Sequence, residues 1–203
     1  MRMRLRWLFH PLIALPLLAS CAFVDREATL DYSAPARENP APLAEHAPRV
    51  AIVVRDVVDR RKETEHVGEI RNGFGMNTAD VHTKGDPAAW MRHALRTELQ
   101  RAGYDVVEPQ QRADLVVDAQ LQTMHCTAYM NYEGEVCVAV KALRNGRAIV
   151  DGVYTGKGGA GVNWSATDKS FGETLDLALQ DALVQFARDV RKANGEAISS
   201  RAP

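Results

Sequence analysis

The 203 residues make one domain of ordinary size, and 46% hydrophobic with 25% charged residues is the mix of a soluble globular protein. A formal net charge of -1 argues against nucleic acid as a partner, because phosphate neutralisation needs a basic face. Residues 1–20 hold three arginines and no acid, so without them 22 basic residues face 26 acidic ones, and nothing suggests a polybasic membrane-binding surface.

The first twenty-one residues carry the strongest signal. Arg2, Arg4 and Arg6 make a positive start, and Trp7 to Leu18 is mostly apolar. That stretch is interrupted by Pro11 and Pro16 and is shorter than the about 20 apolar residues a membrane-spanning helix needs. It ends in Leu18, Ala19, Ser20 and Cys21, which resembles the bacterial lipobox. The resemblance implies that Leu18, Ala19 and Ser20 fit the lipoprotein signal peptidase and that Cys21 accepts a diacylglyceryl group, a reaction that needs a nucleophilic thiolate. Acyl chains on Cys21 would anchor firmly, since each buried CH₂ contributes about 0.8 kcal/mol. The alternative is an ordinary signal peptide with a chance cysteine. Enteric lipoproteins held at the inner membrane have an Asp after the cysteine. Here Ala22 and Phe23 follow, which implies the outer membrane and a periplasm-facing domain.

The chain therefore divides into a signal peptide over 1–20, a tether over 21–48, a single domain over 49–193 and a disordered tail over 194–203. The tether reading rests on Pro35, Pro40, Pro42 and Pro48, many alanines and no sustained apolar period, and such a segment would span about 25–30 Å. From Val50 to Val54 an apolar run predicts a buried strand. Asn72-Gly73, between Val67–Arg71 and Phe74–Met76, predicts a hairpin with a tight turn. Asp86 as N-cap, Pro87 at the first position and Gly103 past the end frame a helix with Met91, Ala94, Leu95 and Leu99 on its apolar stripe.

Leu115 to about His125, Glu135 to Arg144 and Arg147 to Thr155 read as three strands of an antiparallel meander, the last two joined by Asn145-Gly146. Ser170-Phe171-Gly172-Glu173 resembles a capping box opening a final helix with Phe171, Leu175, Leu179, Leu183 and Phe186 on one stripe. The expected fold is α/β: a two-layer sandwich in which two amphipathic helices cover a mixed, largely antiparallel sheet.

Cys126 and Cys137 are the most informative remaining pair. If the turn between their strands centres near Asn131-Tyr132, they lie opposite each other, and an oxidising compartment would join them. The rival is a soft-metal set of Met124, His125, Cys126, Met130 and Cys137, although adjacent strand residues point to opposite faces. Free thiols are the third reading. Gly156 to Gly161 matches G-x-G-x-x-G, but no strand and acidic residue follow to complete a dinucleotide site, so a close-packed flexible connection is the better reading. His66, His82 and His93 lack metal-ligand spacing and read as solvated surface. No nucleophile motif such as G-x-S-x-G is present, and no cofactor is implied.

Taken in order, the lipobox, Val50–Val54 followed by Asp59-Arg60, Gln100–Tyr104 closing a helix, Asp114–Gln122, Val136–Ala142, Asn145-Gly146 and the terminal helix around Asp176–Val190 resemble the YajG-type family of small bacterial lipoproteins. The resemblance implies a location and an architecture rather than a reaction. The expectation is a membrane-anchored, non-enzymatic accessory protein with an envelope protein partner, engaged through an exposed sheet edge or the Arg71–Met76 hairpin. The alternative is a small-ligand or metal-binding envelope protein using the Cys126/Cys137 region.

Overall fold

The computed structural model describes residues 24–36, 50–162 and 167–199. The elements run β1 (Arg26–Thr29), β2 (Ala51–Asp59), β3 (His66–Arg71), β4 (Asn77–Lys84), α1 (Pro87–Arg101), β5 (Asp105–Val107), β6 (Leu115–Ala128), β7 (Asn131–Arg144), β8 (Arg147–Val162) and α2 (Asp168–Ser199). The expected signal peptide and lipobox, and residues 37–49, lie outside the described residues.

All eight strands form one sheet, curled as a half-barrel around β6. One edge of β6 is taken by β7. The other is shared end to end, its first half pairing with β2 and its last residues with β3. Outward from these, β5 joins β2, β4 joins β3 and β1 joins β4, while β8 flanks β7. Four of the seven pairings are parallel (β1–β4, β2–β5, β2–β6, β3–β6). The expected sandwich of a mixed, largely antiparallel sheet covered by two amphipathic helices is therefore wrong. Parallel partners need a crossover, and α1 with its flanking loops supplies it between the β3–β4 hairpin and β6. The main helical cover is the 32-residue α2, which lies along β8, β7 and β1. The 15-residue α1 sits over β2 and β5 and against α2.

Local signals explain the elements that match. Asp86 caps α1 by accepting from the amides of Ala88 and Ala89, Pro87 starts it, and Gly103 (φ 93°) ends it. Asn145 and Gly146 both take positive φ, as a two-residue hairpin turn requires. In β2, Ile52, Val53 and Val54 are all buried; a bulge at Arg55-Asp56 turns two charges outward and returns Val57 to the core.

Four further expectations need correction. The β3–β4 hairpin forms, but its loop runs from Asn72 to Met76, with positive φ at Gly75, and Phe74–Met76 is loop rather than strand. The glycine-rich run is not a flexible connection: it is the second half of β8. A Cβ on Gly156 would stand 2.0 Å from the Ala178 carbonyl oxygen, and one on Gly158 2.3 Å from that of Thr174, so these glycines let α2 lie on the strand. The capping group of α2 is Thr167, whose Oγ1 accepts from the Ser170 amide, three residues before the expected box. The tail expected over 194–203 is helical to Ser199, with Asn194 buried and bonded to the Arg144 guanidinium.

The tether is corrected as well over its described part. Residues 24–36 are built into the domain. β1 pairs with β4, Tyr32 and Ala34 are buried, and Pro35 accepts from Gln180 Nε2 at 2.7 Å. A polar network holds this strap between the helices. Tyr32 Oη donates to Glu98 Oε1 (2.7 Å), and Asp176 accepts from the Ser33 amide (2.8 Å) and from Trp90 Nε1 (2.8 Å). Both carboxyls are 2% exposed, and burial raises that of Asp176 above the ordinary carboxylate range. Arg101 supplies the counter-charge to Glu98 at 2.5 Å.

Candidate functional site

The two faces of the sheet differ in kind. Alternation along β6 and β7 sends Val117, Leu121, Val136, Val138 and Val140 under the helices. The opposite face carries charge in cross-strand rows. Arg55 Nη2 meets Asp118 at 2.6 Å, Asp118 is in register with Lys141, and Lys141 Nζ meets Asp151 at 2.9 Å. Asp118, Lys141 and Asp151 line a shallow depression of about 420 Å³ together with Gln120 and Asp56. Such a face is solvated rather than packed.

A second row holds three histidines that their sequence spacing hid. His82 on β4, His66 on β3 and His125 on β6 are neighbours, with ring centroids 6.3 Å apart for His66–His82 and 6.5 Å for His66–His125. His66 also approaches Glu63 and Asp80, at 3.6 Å each. Among the described residues no group of three or more His, Cys, Asp or Glu side chains is arranged to hold a metal ion. His93, on α1, stands edge-on to Tyr32.

The structure separates the two cysteines. The turn closes at Tyr129-Met130 instead of Asn131-Tyr132, and the register it sets runs unbroken from Ala128–Tyr132 to Thr123–Cys137. Cys126 consequently faces Gly134 and Cys137 faces Thr123. Cys126 points into the core, Cys137 lies among the outward positions of β7, and both thiols are free. The disulfide expected between them is absent. The soft-metal set is divided too: Met124 and Cys126 are buried, His125 is outside, and Met130 is at the strand turn. Burial alone pushes the Cys126 thiol up to about 12, the reverse of what a metal-binding or nucleophilic thiolate requires. Cys21, Leu18, Ala19 and Ser20 lie outside the described residues.

Two surfaces remain that could receive another molecule. The first is the free edge of β8, which along its 16 residues pairs only with β7 among the described residues. Side chains of α2 reach part of this edge, Gln185 donating to the Thr155 carbonyl and Asp181 accepting from the Lys157 amide. The stretch Ile149–Tyr154 borders a groove of about 410 Å³ whose far wall is Asp189, Lys192 and Ala193 of α2, and Val153 there is 67% exposed. The second is the end of the sheet where the β3–β4 and β6–β7 turns meet. Tyr129 Oη donates to the Gly73 carbonyl at 3.1 Å, and Phe74 (91% exposed), Met76 and Met130 project beside it. The sequence offered a sheet edge without indicating β8, and the Arg71–Met76 hairpin without Tyr129 and Met130 beside it.

Residues 41–190 match a family described as uncharacterized lipoprotein. No curated protein sequence matches the chain. Among solved structures, a protein from Xanthomonas campestris is 10% identical over 85% of this chain and 98% of its own, with a TM-score of 0.58, which shows a shared fold. A protein from Chlamydia trachomatis is 12% identical over 70% of this chain and 98% of its own, with a TM-score of 0.45. A lipoprotein from Neisseria meningitidis is 12% identical over 74% of this chain and 99% of its own, with a TM-score of 0.32.

Proposed function

This chain belongs to a family of uncharacterised lipoproteins, and from that premise we propose that it is a non-enzymatic envelope lipoprotein of the YajG type that binds another envelope protein. Export by the segment over 1–20, cleavage before Cys21 and acylation of that cysteine place it on a membrane. Ala22 and Phe23 in the positions after the cysteine favour the outer membrane, with the domain facing the periplasm. No helix among the described residues is long and apolar enough to cross a membrane, so the lipid supplies the anchor in this reading.

The observation that carries the binding reading is the unpaired edge of β8 beside its groove. An extended segment of a partner can add there as a further strand, its backbone pairing with Ile149–Tyr154 and its side chains entering the groove against α2. A photocrosslinking residue at Val153, in cells carrying either wild-type Cys21 or Cys21→Ser, tests this. Capture of one protein in high yield by the lipidated form, with loss in Cys21→Ser, is the expected result. Capture of nothing by either form contradicts the adaptor reading.

A further inference from the structure

Most of the exposed large apolar side chains lie at one end of the molecule. Phe74, Met76, Tyr129, Met130 and Val24 lie there, whereas among the described residues only Val58 and Val153 are found elsewhere. A cluster of this kind on an otherwise charged surface marks something that covers it.

The position of the chain's start indicates what that is. β1 runs parallel to β4 with Arg26 level with Val81, and Asp25 accepts from the Asp80 amide at 3.0 Å. Val24 therefore stands at the beginning of β4, the end at which Phe74 and Met76 project. Cys21 precedes Val24 by three residues, which even fully extended span only about 10 Å. A tether of nearly thirty residues would leave the domain free to turn. Three residues do not.

We propose that the bilayer carrying the Cys21 lipid covers this end of the sheet, with Phe74 and Met130 entering the interface and Tyr129 at headgroup level. The proposal rests on acylation of Cys21. An aromatic ring beside flexible apolar side chains suits that depth, with the ring hydroxyl remaining among polar groups. The lipid supplies the affinity, and the two turns set the orientation. The β8 edge runs away from this end toward the Asn145-Gly146 turn, and so stays open to the periplasm.

The test uses the mature lipoprotein purified from membranes and reconstituted in phosphatidylethanolamine–phosphatidylglycerol vesicles. Phe74→Cys, Met130→Cys or, at the far end, Ala148→Cys is introduced with Cys137→Ser and labelled with an environment-sensitive dye. Nitroxide lipids in the vesicles should quench the labels at 74 and 130 several-fold more than the label at 148, and aqueous iodide should do the reverse. Equal quenching at all three positions overturns the proposal. Shielding of position 74 from iodide without quenching by nitroxide lipid assigns the end to a second protein chain, and also overturns it. Flotation of the vesicles with bound protein, and its loss in Cys21→Ser, is read separately. If flotation persists while the labels stay in water, the orientation is wrong and the anchor stands. If the purified chain carries no lipid, both fail.

Discussion

At the scale of single residues, side chains that the sequence presents as alike separate by environment. Cys126 and Cys137 are both free, but only Cys126 is buried, with its thiol pushed up to about 12. A maleimide at pH 8 should modify Cys137 in the native protein and Cys126 only after denaturation, and reductant should leave the mass unchanged. Rapid modification of both would contradict the register described above. Asp59 holds Arg61 through paired hydrogen bonds of 3.0 and 2.8 Å, the guanidinium being almost fully buried. Desolvation pushes the Asp59 carboxyl up, but the hydrogen bonds and charge of Arg61 together bring it below the ordinary value. A depressed folded pKa contributes stability that is present above the unfolded value and lost as pH falls through the folded one. Asp59→Asn should therefore cost about 1–3 kcal/mol at pH 7, with the gap from wild type narrowing below pH ~4 in urea titrations. Gly156→Ala should cost about 1–3 kcal/mol or more through overpacking against α2, whereas Gly73→Ala, whose added Cβ meets nothing within 4 Å, should lie close to wild type.

At the scale of elements, what was legible depended on whether the signal was local. Capping fixed α1, two positive-φ residues fixed the β7–β8 turn, and apolar stripes located β2, β6 and α2, because each rests on contacts within a few residues. Elements set by distant partners were missed. β1 has four residues of mixed polarity and is held by β4, more than fifty positions away. The strap after it is polar because its partners are the buried Glu98 and Asp176, so its composition imitates a flexible tether. The glycine run looked like a loop because its reason for being glycine is the backbone of α2. The turn at Tyr129-Met130, earlier than the expected Asn131-Tyr132, takes the cysteines out of opposition, and no Asn-Gly or similar turn signal in residues 126–137 marks it. The strap supplies its own test: Tyr32→Phe removes the hydroxyl donor to Glu98 and should cost about 1–2 kcal/mol, read as faster amide exchange over residues 26–36 while β6 and β7 remain protected. Uniform loss of protection across the sheet would show that the strap is not a separate unit.

At the scale of the whole molecule, the parallel pairings of β6 with β2 and β3 decide the shape, and they also decide what the chain can do. They bring the start of the described chain, two strand turns and an apolar cluster to one end, and leave the long β8 edge free along one side. Membership of a lipoprotein family agrees with the lipobox-like Leu18–Cys21, and the docking of residues 24–36 leaves three positions rather than a long leash between Cys21 and the domain. The candidate site was only partly legible for the same reason as the fold. The hairpin could be read locally, but its company with Tyr129, Met130 and Val24 is a product of topology. Everything proposed for this molecule depends on the covalent state of Cys21, so the most direct measurement is the intact mass of the protein extracted from membranes, with fragmentation of its first residues. The account predicts a chain that begins at Cys21 and carries a diacylglyceryl group with a further acyl chain. A chain beginning at any other residue, or at Cys21 without lipid, would contradict it.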